Sequence, residues 1–286
     1  MPLVSFIITY YNEPEAMLQA CLESIKALPL AEDEAEIIVV DDGSEVPYSL
    51  LESCDVSYVR QEHAGLSVAR NTGISQSNGR YIQFVDADDF LTSAYKAVLE
   101  QLREEKADII MFKMTAKKKN ISQVSCPELL STTDFLLHHN LRAAAWGYAF
   151  KRDVLGDLQF YPGLFHEDEL FTPQLFLRAK TLCDLNVKAY FYRQHEGTIT
   201  HSNSLEKIQK RLSDIHFTLN ELRKLDEPIL ERRIRQLTVD YLQKTWSLTH
   251  SFKELRCRTK ELRREGFLPL PLRRYSLRYF LFSLFF

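Results

Sequence analysis

Apolar positions in this chain come as short runs separated by stretches with helical spacing. Val4-Ser5-Phe6-Ile7-Ile8 and Ile37-Ile38-Val39-Val40 are nearly continuous, as expected of strands buried on both faces. Strands are predicted over Leu3–Thr9, Glu36–Val40, Val56–Arg60 and Tyr81–Val85, alternating with helices over Pro14–Leu28, Pro47–Ser53 and Leu66–Ser77. This alternation predicts a parallel α/β sheet with right-handed crossovers. Further on, helices are expected over Ser93–Glu105, Ser131–Asn140 and Asp168–Ala179, and strands over Asp108–Met114, Trp146–Lys151 and Leu182–Arg193. Lys117-Lys118-Lys119-Asn120 reads as an exposed turn.

After about residue 203 the pattern changes. Leu205, Ile208, Leu212, Ile215, Leu219 and Leu222 recur every three or four residues, the seam of an amphipathic helix. A second helix is expected from Asp226, ahead of Pro228, to about Thr249. Such a seam can pack on its own chain or on a second copy, so a homodimer through residues 205–250 is one expectation. The predicted organisation is a domain over 1–203, a helical extension over 204–266 and an aromatic, basic segment over 267–286.

The chemistry gathers where strands should end. Tyr81–Val85 runs into Asp86-Ala87-Asp88-Asp89, three carboxylates within four residues. In open α/β sheets ligands sit beyond the carboxyl ends of the strands. An Asp-x-Asp pair there presents hard oxygen ligands suited to Mg2+ or Mn2+; a solvated acidic turn, with Asp89 capping the next helix, is the plainer reading. Thr9-Tyr10-Tyr11-Asn12-Glu13-Pro14 has no glycine, and Glu13 would repel a phosphate at a helix N-terminus, so a dinucleotide-binding turn is disfavoured. Asp42, in Asp41-Asp42-Gly43-Ser44, can accept the imide N–H of uracil or form an Asx turn. Arg70, one turn into a helix, can reach a phosphate or ribose bidentately, or lie exposed.

Taken in order, Tyr-Tyr-Asn-Glu, Val-Asp-Asp-Gly-Ser, Gly-Leu-Ser-Val-Ala-Arg-Asn-Thr-Gly and Asp-Ala-Asp-Asp resemble the inverting family 2 glycosyltransferases over roughly residues 3–200. The resemblance implies a GT-A fold, a Rossmann-like, mostly parallel sheet flanked by helices. It implies Thr9, Tyr11 and Asp42 holding a uridine, with Asp42 on the base and Glu13 among the nucleotide-binding residues. Arg70 would lie near the nucleotide, Asp86 near the ribose, and Asp88 would ligate the Mn2+ or Mg2+ that bridges the diphosphate.

Phe165-His166-Glu167-Asp168-Glu169 is similar to the family's Glu-Asp motif, which implies Asp168 as the base that deprotonates the acceptor hydroxyl. Glu167 and Glu169 beside it would raise its pKa by like-charge repulsion; an acidic helix start is the structural alternative. Tyr192-Arg193-Gln194-His195 resembles the family's Tyr-Arg segment, which implies Arg193 or His195 at the diphosphate and His195 in the metal shell. Trp146 would pack on a sugar face, with Glu167 and Arg193 near the donor or acceptor sugar. Many relatives carry Trp-Asn-Lys where this chain has Trp146-Gly147-Tyr148, so the sugar stays open. The expected substrates are a nucleotide-sugar, a UDP-sugar above all, and a glycan or lipid-linked acceptor; a nucleotide-binding scaffold without turnover is the alternative.

Charge adds one further partner. The net charge is −3, yet residues 251–286 carry nine Lys and Arg against three Glu, and the rest 27 against 36. Residues 267–286 hold seven aromatics, three arginines and no acid, a composition suited to the headgroup boundary of a bilayer. The segment is too short and too charged to span it, and no nucleic-acid reading module is recognisable. Cys21, Cys54, Cys126, Cys183 and Cys257 are scattered and odd in number, which favours reduced thiols. With no signal-peptide pattern at Met1–Ile8, a cytoplasmic protein peripheral to the inner face of the membrane is expected.

Overall fold

The computed structural model describes residues 1–47, 56–116, 128–194 and 204–286. The chain forms two compact units, Met1–Thr132 with Ala143–His195, and Thr133–Arg142 with Glu196–Phe286. The first unit contains β1 (Val4–Tyr10), α1 (Glu15–Lys26), β2 (Ala35–Asp41), β3 (Ser57–Arg60), α2 (Leu66–Gln76), β4 (Tyr81–Asp86), β5 (Phe90–Leu91), α3 (Lys96–Glu104), β6 (Ile109–Thr115) and β7 (Leu129–Ser131). After α4 (Thr132–His138) it continues with β8 (Tyr148–Lys151), α5 (Arg152–Leu155), α6 (Asp168–Arg178) and β9 (Thr181–Phe191).

The sheet order is β3-β2-β1-β4-β8-β6-β9-β5, with β7 on β9. β1, β2, β3 and β4 run parallel, as expected, with Thr9 level with Val40 on one side and Asp86 on the other. The chain steps outward from β1 through β2 to β3, then returns to place β4 on the opposite side of β1. The strand order reverses there, and the ends of β1 and β4 face the switch point. β8 departs from the parallel expectation, pairing antiparallel with β4 and β6. A short apolar run encodes burial and leaves direction open. Trp146 belongs to a turn over Ala145–Gly147, and the strand begins at Tyr148.

All seven positions of β1 are buried, and α1 covers one face of the sheet with Leu18, Cys21, Leu22 and Ile25. On α2, an added Cβ at Gly73 would stand 2.2 Å from Ile7 Cγ2. Glycine there lets the helix lie tight on β1 and fixes the height of Arg70 one turn earlier. The buried Gln83 of β4 is satisfied by donation to Phe84 O and Trp146 O, at 2.7 and 3.0 Å, and by Tyr95 Oη at 3.0 Å. Cys21 and Cys183 are buried and Cys257 is exposed.

The second unit holds α7 (Leu205–Lys224), α8 (Glu231–Thr249), α9 (Phe252–Arg264) and α10 (Leu277–Ser283). Ile208, Leu212, Ile215, Leu219 and Leu222 of the predicted seam are buried, with α7 packed on α8 and α8 on α9. Its own neighbours consume the seam, which leaves little of it for a second copy. Residues 133–142 join this unit instead of the sheet. The Arg232 guanidinium donates to Leu137 O and Asn140 Oδ1, and Arg233 donates to Leu141 O, so the expected boundary at 203 misses this early segment.

Glu36 ties the starts of β1 and β4 together: Ser5 Oγ donates to it at 2.6 Å and Gly79 N at 2.8 Å, with Asn78 N as a third donor. Burial pushes its carboxyl up, but these hydrogen bonds win and hold it below the usual carboxylate range. A lowered folded pKa stabilises above the unfolded pKa, and that stability is lost as pH falls through the folded value. Glu36→Gln is therefore expected to cost about 1–2 kcal/mol at neutral pH. In urea denaturation the difference from wild type should close below about pH 4.

Candidate active site

The ends of β1, β2 and β4 carry the first three predicted motifs. After β1 the chain turns at Asn12, whose left-handed backbone (φ 62°) is held by Ser44 Oγ accepting from Asn12 N (3.0 Å) and Asn12 Oδ1 accepting from Glu45 N (2.8 Å). Glu13 folds back to accept from Tyr11 N at 2.6 Å. The exposed Tyr11 ring stacks on His63, with centroids 4.1 Å apart and planes at 19°. Thr9 is buried at the end of β1.

Beyond β2 the two aspartates divide the roles the sequence left open. Asp41, fully buried, makes the Asx turn by accepting from Ser44 N at 2.8 Å, and also accepts from Tyr58 Oη. Asp42 organises residues 61–65, accepting from Gln61 Nε2 (2.7 Å), Ala64 N (2.9 Å) and Gly65 N (2.8 Å), with His63 Nδ1 at 2.9 Å. A carboxylate offers about four lone-pair sites, so the protein already occupies the acceptor expected to read a base. Gly43, directly after Asp42, has φ 78°, and a Cβ there would meet His63 N at 2.7 Å.

Four carboxyls crowd the ends of β1 and β4. Asp86 and Asp88 are half-buried, and Asp89 is fully buried. A tight turn sets them, with Asp89 N donating to Asp86 O at 3.0 Å. Asp89 does not cap the following helical turn; Thr92 does, accepting from Ala94 N. Asp89 instead accepts from Arg193 N at 2.7 Å. Burial, then repulsion from Asp86 and Asp88, pushes the Asp89 carboxyl up to about 8. Burial also raises Glu13 to about 7, with Asp88 and Asp86 adding to it. Burial raises Asp86 too, helped by Asp88 and opposed by Arg70.

Arg70 is the counterweight. The sequence allowed it a nucleotide or the solvent; it is 3% exposed. Nη2 donates to Asp86 Oδ1 at 3.1 Å and Nη1 to Glu167. Its guanidinium lies over the rings of Phe84 and Phe160, 5.6 and 5.3 Å from their centroids. The carboxylates of Glu167, Asp86 and Asp168 all strengthen its hold on its proton against the cost of burial. One buried cation thus joins the end of β4 to the start of α6. There His166 adopts φ 59°, Glu167 is buried, and Asp168 opens the helix half-buried. The Glu167 carboxylate next to Asp168 is committed to Arg70.

Trp146 sits in the core, stacked on Tyr190 at 4.5 Å and 18°, so that face is closed to a sugar. Arg193 lies beside the carboxylates through its backbone, and its guanidinium rests over Phe90 at 5.7 Å. His195 lies outside the described residues. Sequence reasoning passed over Tyr190, whose Oη accepts from Asp86 N at 3.1 Å, and left Asp89 out of the site. Asp89 was visible as the third carboxylate of its run, whereas nothing local marks Tyr190. An oxygen-only donor set fits a hard divalent cation, with Asp86 and Asp88 as the accessible ligands.

A family model described as glycosyl transferase family 2 matches residues 5–149. The chain belongs to glycosyl transferase family 2. Uncharacterized glycosyltransferase EpsJ of Bacillus subtilis is 29% identical over 221 residues, 70% of this chain and 63% of that protein. Glycosyltransferase GlyA of Streptococcus pneumoniae is 31% identical over 69% of this chain and 31% of its own. The chain thus spans less than two thirds of the length of these two relatives. Among solved structures, Staphylococcus aureus TarS 1–349 with UDP-GlcNAc superposes with TM-score 0.67 at 19% identity, over 93% of this chain and 76% of that one. A mannosyltransferase of Pyrobaculum calidifontis with GDP-Man and Mn2+ gives 0.61 at 12%, over 99% and 86%. The fold is that of the GT-A glycosyltransferases.

Arg70→Ala would leave Asp86 and Glu167 buried without a cation. Urea denaturation is expected to show a loss of about 3–5 kcal/mol, and Arg70→Lys an intermediate loss, because an ammonium lacks the fork that spans both carboxylates.

Proposed function

We propose that the protein is an inverting, divalent-cation-dependent glycosyltransferase. It moves a sugar from a nucleoside-diphosphate donor, a UDP-sugar in the first instance, to a hydroxyl of a glycan or lipid-linked acceptor. The observation that carries this reading is the Arg70 bridge, which holds the Asp86–Asp88 edge and the Asp168 helix start in one rigid piece. Family membership supports it, as do the UDP-GlcNAc and GDP-Man in the superposing structures.

Asp86 and Asp88 would hold the cation, which when bound neutralises charge growing on the leaving diphosphate. Asp168 takes the proton of the acceptor hydroxyl as its oxygen attacks C1 from the side opposite the nucleotide. The C1–O bond to phosphate breaks with inversion, so an α-linked donor gives a β-linked product. Tyr11 and His63 offer ring faces for a base, and Arg193 stands where its charge can meet the diphosphate. Asp89 keeps Arg193 in register by accepting from its backbone N–H.

The decisive measurement is mass spectrometry of products from a panel of nucleotide-sugars and saccharide acceptors with Mn2+, coupled to UDP release. Asp88→Ala should lower turnover by about 10^2-fold or more while leaving the fold unchanged; an unaltered rate would remove the cation from Asp88. Asp168→Asn, with its proton acceptor gone, should lower kcat by about 10^2–10^4-fold and leave donor affinity within a few-fold of wild type. Near wild-type transfer by that variant would place the base elsewhere. UDP binding without turnover across the panel would favour the scaffold alternative.

A further inference from the structure

Among the described residues the second unit carries an apolar surface that the catalytic reading does not use. Residues 267–286 fold back on α8 by one face of α10. Tyr279 is buried and donates to Pro271 O at 3.1 Å, and Ser283 is buried beside it. Ser276 caps the helix by accepting from Tyr279 N at 3.0 Å. Arg278 reaches Asp240 at 2.5 Å and Gln243 at 3.0 Å. Arg232 lies over the Tyr275 ring, 4.7 Å from its centroid. The segment is therefore anchored in a defined orientation.

The opposite face is open. Leu277, Leu281 and Leu284 follow one another at four and three residues, so they share a stripe, and Tyr279 and Ser283 take the other side. With Leu272 and Phe285 they make five large apolar side chains between 48% and 78% exposed. Arg273 and Arg274 are exposed just ahead of the helix, and residues 267–286 contain no acid. No helix among the described residues is long and apolar enough to cross a membrane. Clustered exposed leucines mark a contact surface, and exposed arginines in a segment with no acid of its own favour an anionic partner.

We propose that this face docks on an anionic phospholipid surface. Leu272, Leu277, Leu281, Leu284 and Phe285 enter the headgroup–acyl boundary, and Arg273 and Arg274 pair with lipid phosphates. A second copy of the chain would bring its own arginines against these two, whereas a membrane offers apolar depth and negative charge together. The inference does not rest on the sugar-transfer reading, because it uses no residue of the carboxylate site.

The test is flotation of the full chain with vesicles of phosphatidylcholine alone and of phosphatidylcholine mixed with phosphatidylglycerol. Wild type should float with the mixed vesicles, much less with phosphatidylcholine alone, and less as salt is raised. Leu277→Ser/Leu281→Ser/Leu284→Ser should weaken binding at least about tenfold, and Arg273→Gln/Arg274→Gln by roughly tenfold on the anionic vesicles only. Circular dichroism should stay unchanged, since these side chains face out. Asp88→Ala should float like wild type, which separates this outcome from any failure of the catalytic reading. Absence of flotation by wild type, or equal flotation by the triple leucine variant, would overturn the proposal. So would a wild-type dimer that the leucine changes dissolve without any vesicle binding.

Discussion

A single buried guanidinium governs this molecule. Arg70 sits on α2 between carboxylates from β4 and from the start of α6, elements 16 and 97 residues away in sequence. Burying a lone charge is costly, and two ionised oxygens plus aromatic faces offset that cost only if all arrive together. The pairing therefore acts as a registration device. Gly73 sets the depth of the helix against β1, Arg70 projects from that height, and the β4 end and the Asp168 turn must meet it.

The same interaction explains how so much negative charge can be tolerated at one sheet edge. Glu13, Asp86, Asp88 and Asp89 come from two strand ends, and burial, reinforced by their proximity, raises the pKa of Glu13, Asp86 and Asp89. Arg70 neutralises part of this, and the Arg193 backbone N–H donates to one Asp89 oxygen. A hard cation from solvent would complete the balance at the two carboxylates that remain accessible. Nucleotide-sugar chemistry needs such a place, since the charge that grows on the diphosphate must be met when the sugar leaves.

Much of the scaffold could be read from periodicity, because β1, β2 and β4 are apolar runs whose ends are marked by acidic residues and glycine. The strand ends were equally plain, whereas Asp168 as a base candidate came only from the resemblance of Glu167-Asp168 to a family motif, its place at a helix start being the structural alternative. What periodicity could not reveal was pairing across distance. The Arg70 link to Glu167 and the Tyr190 link to Asp86 leave no local trace. The two-residue β5, the short β7 and α5 fall below the length at which a repeat can be recognised, and the direction of β8 is set by its neighbours. Trp146 looked like a sugar platform because aromatic type says nothing about which ring will cover it. α9 was hidden by its polarity, having only Leu262 fully inside.

The saturated carboxylate of Asp42 changes what molecular recognition at this rim has to be. With Gln61, His63, Ala64 and Gly65 already attached, a guest that wants this acceptor must displace one of them. His63 is the candidate for eviction, because its loss also uncovers the Tyr11 ring. Recognition through that carboxylate would be an exchange, not an addition, its affinity a difference between two satisfied states.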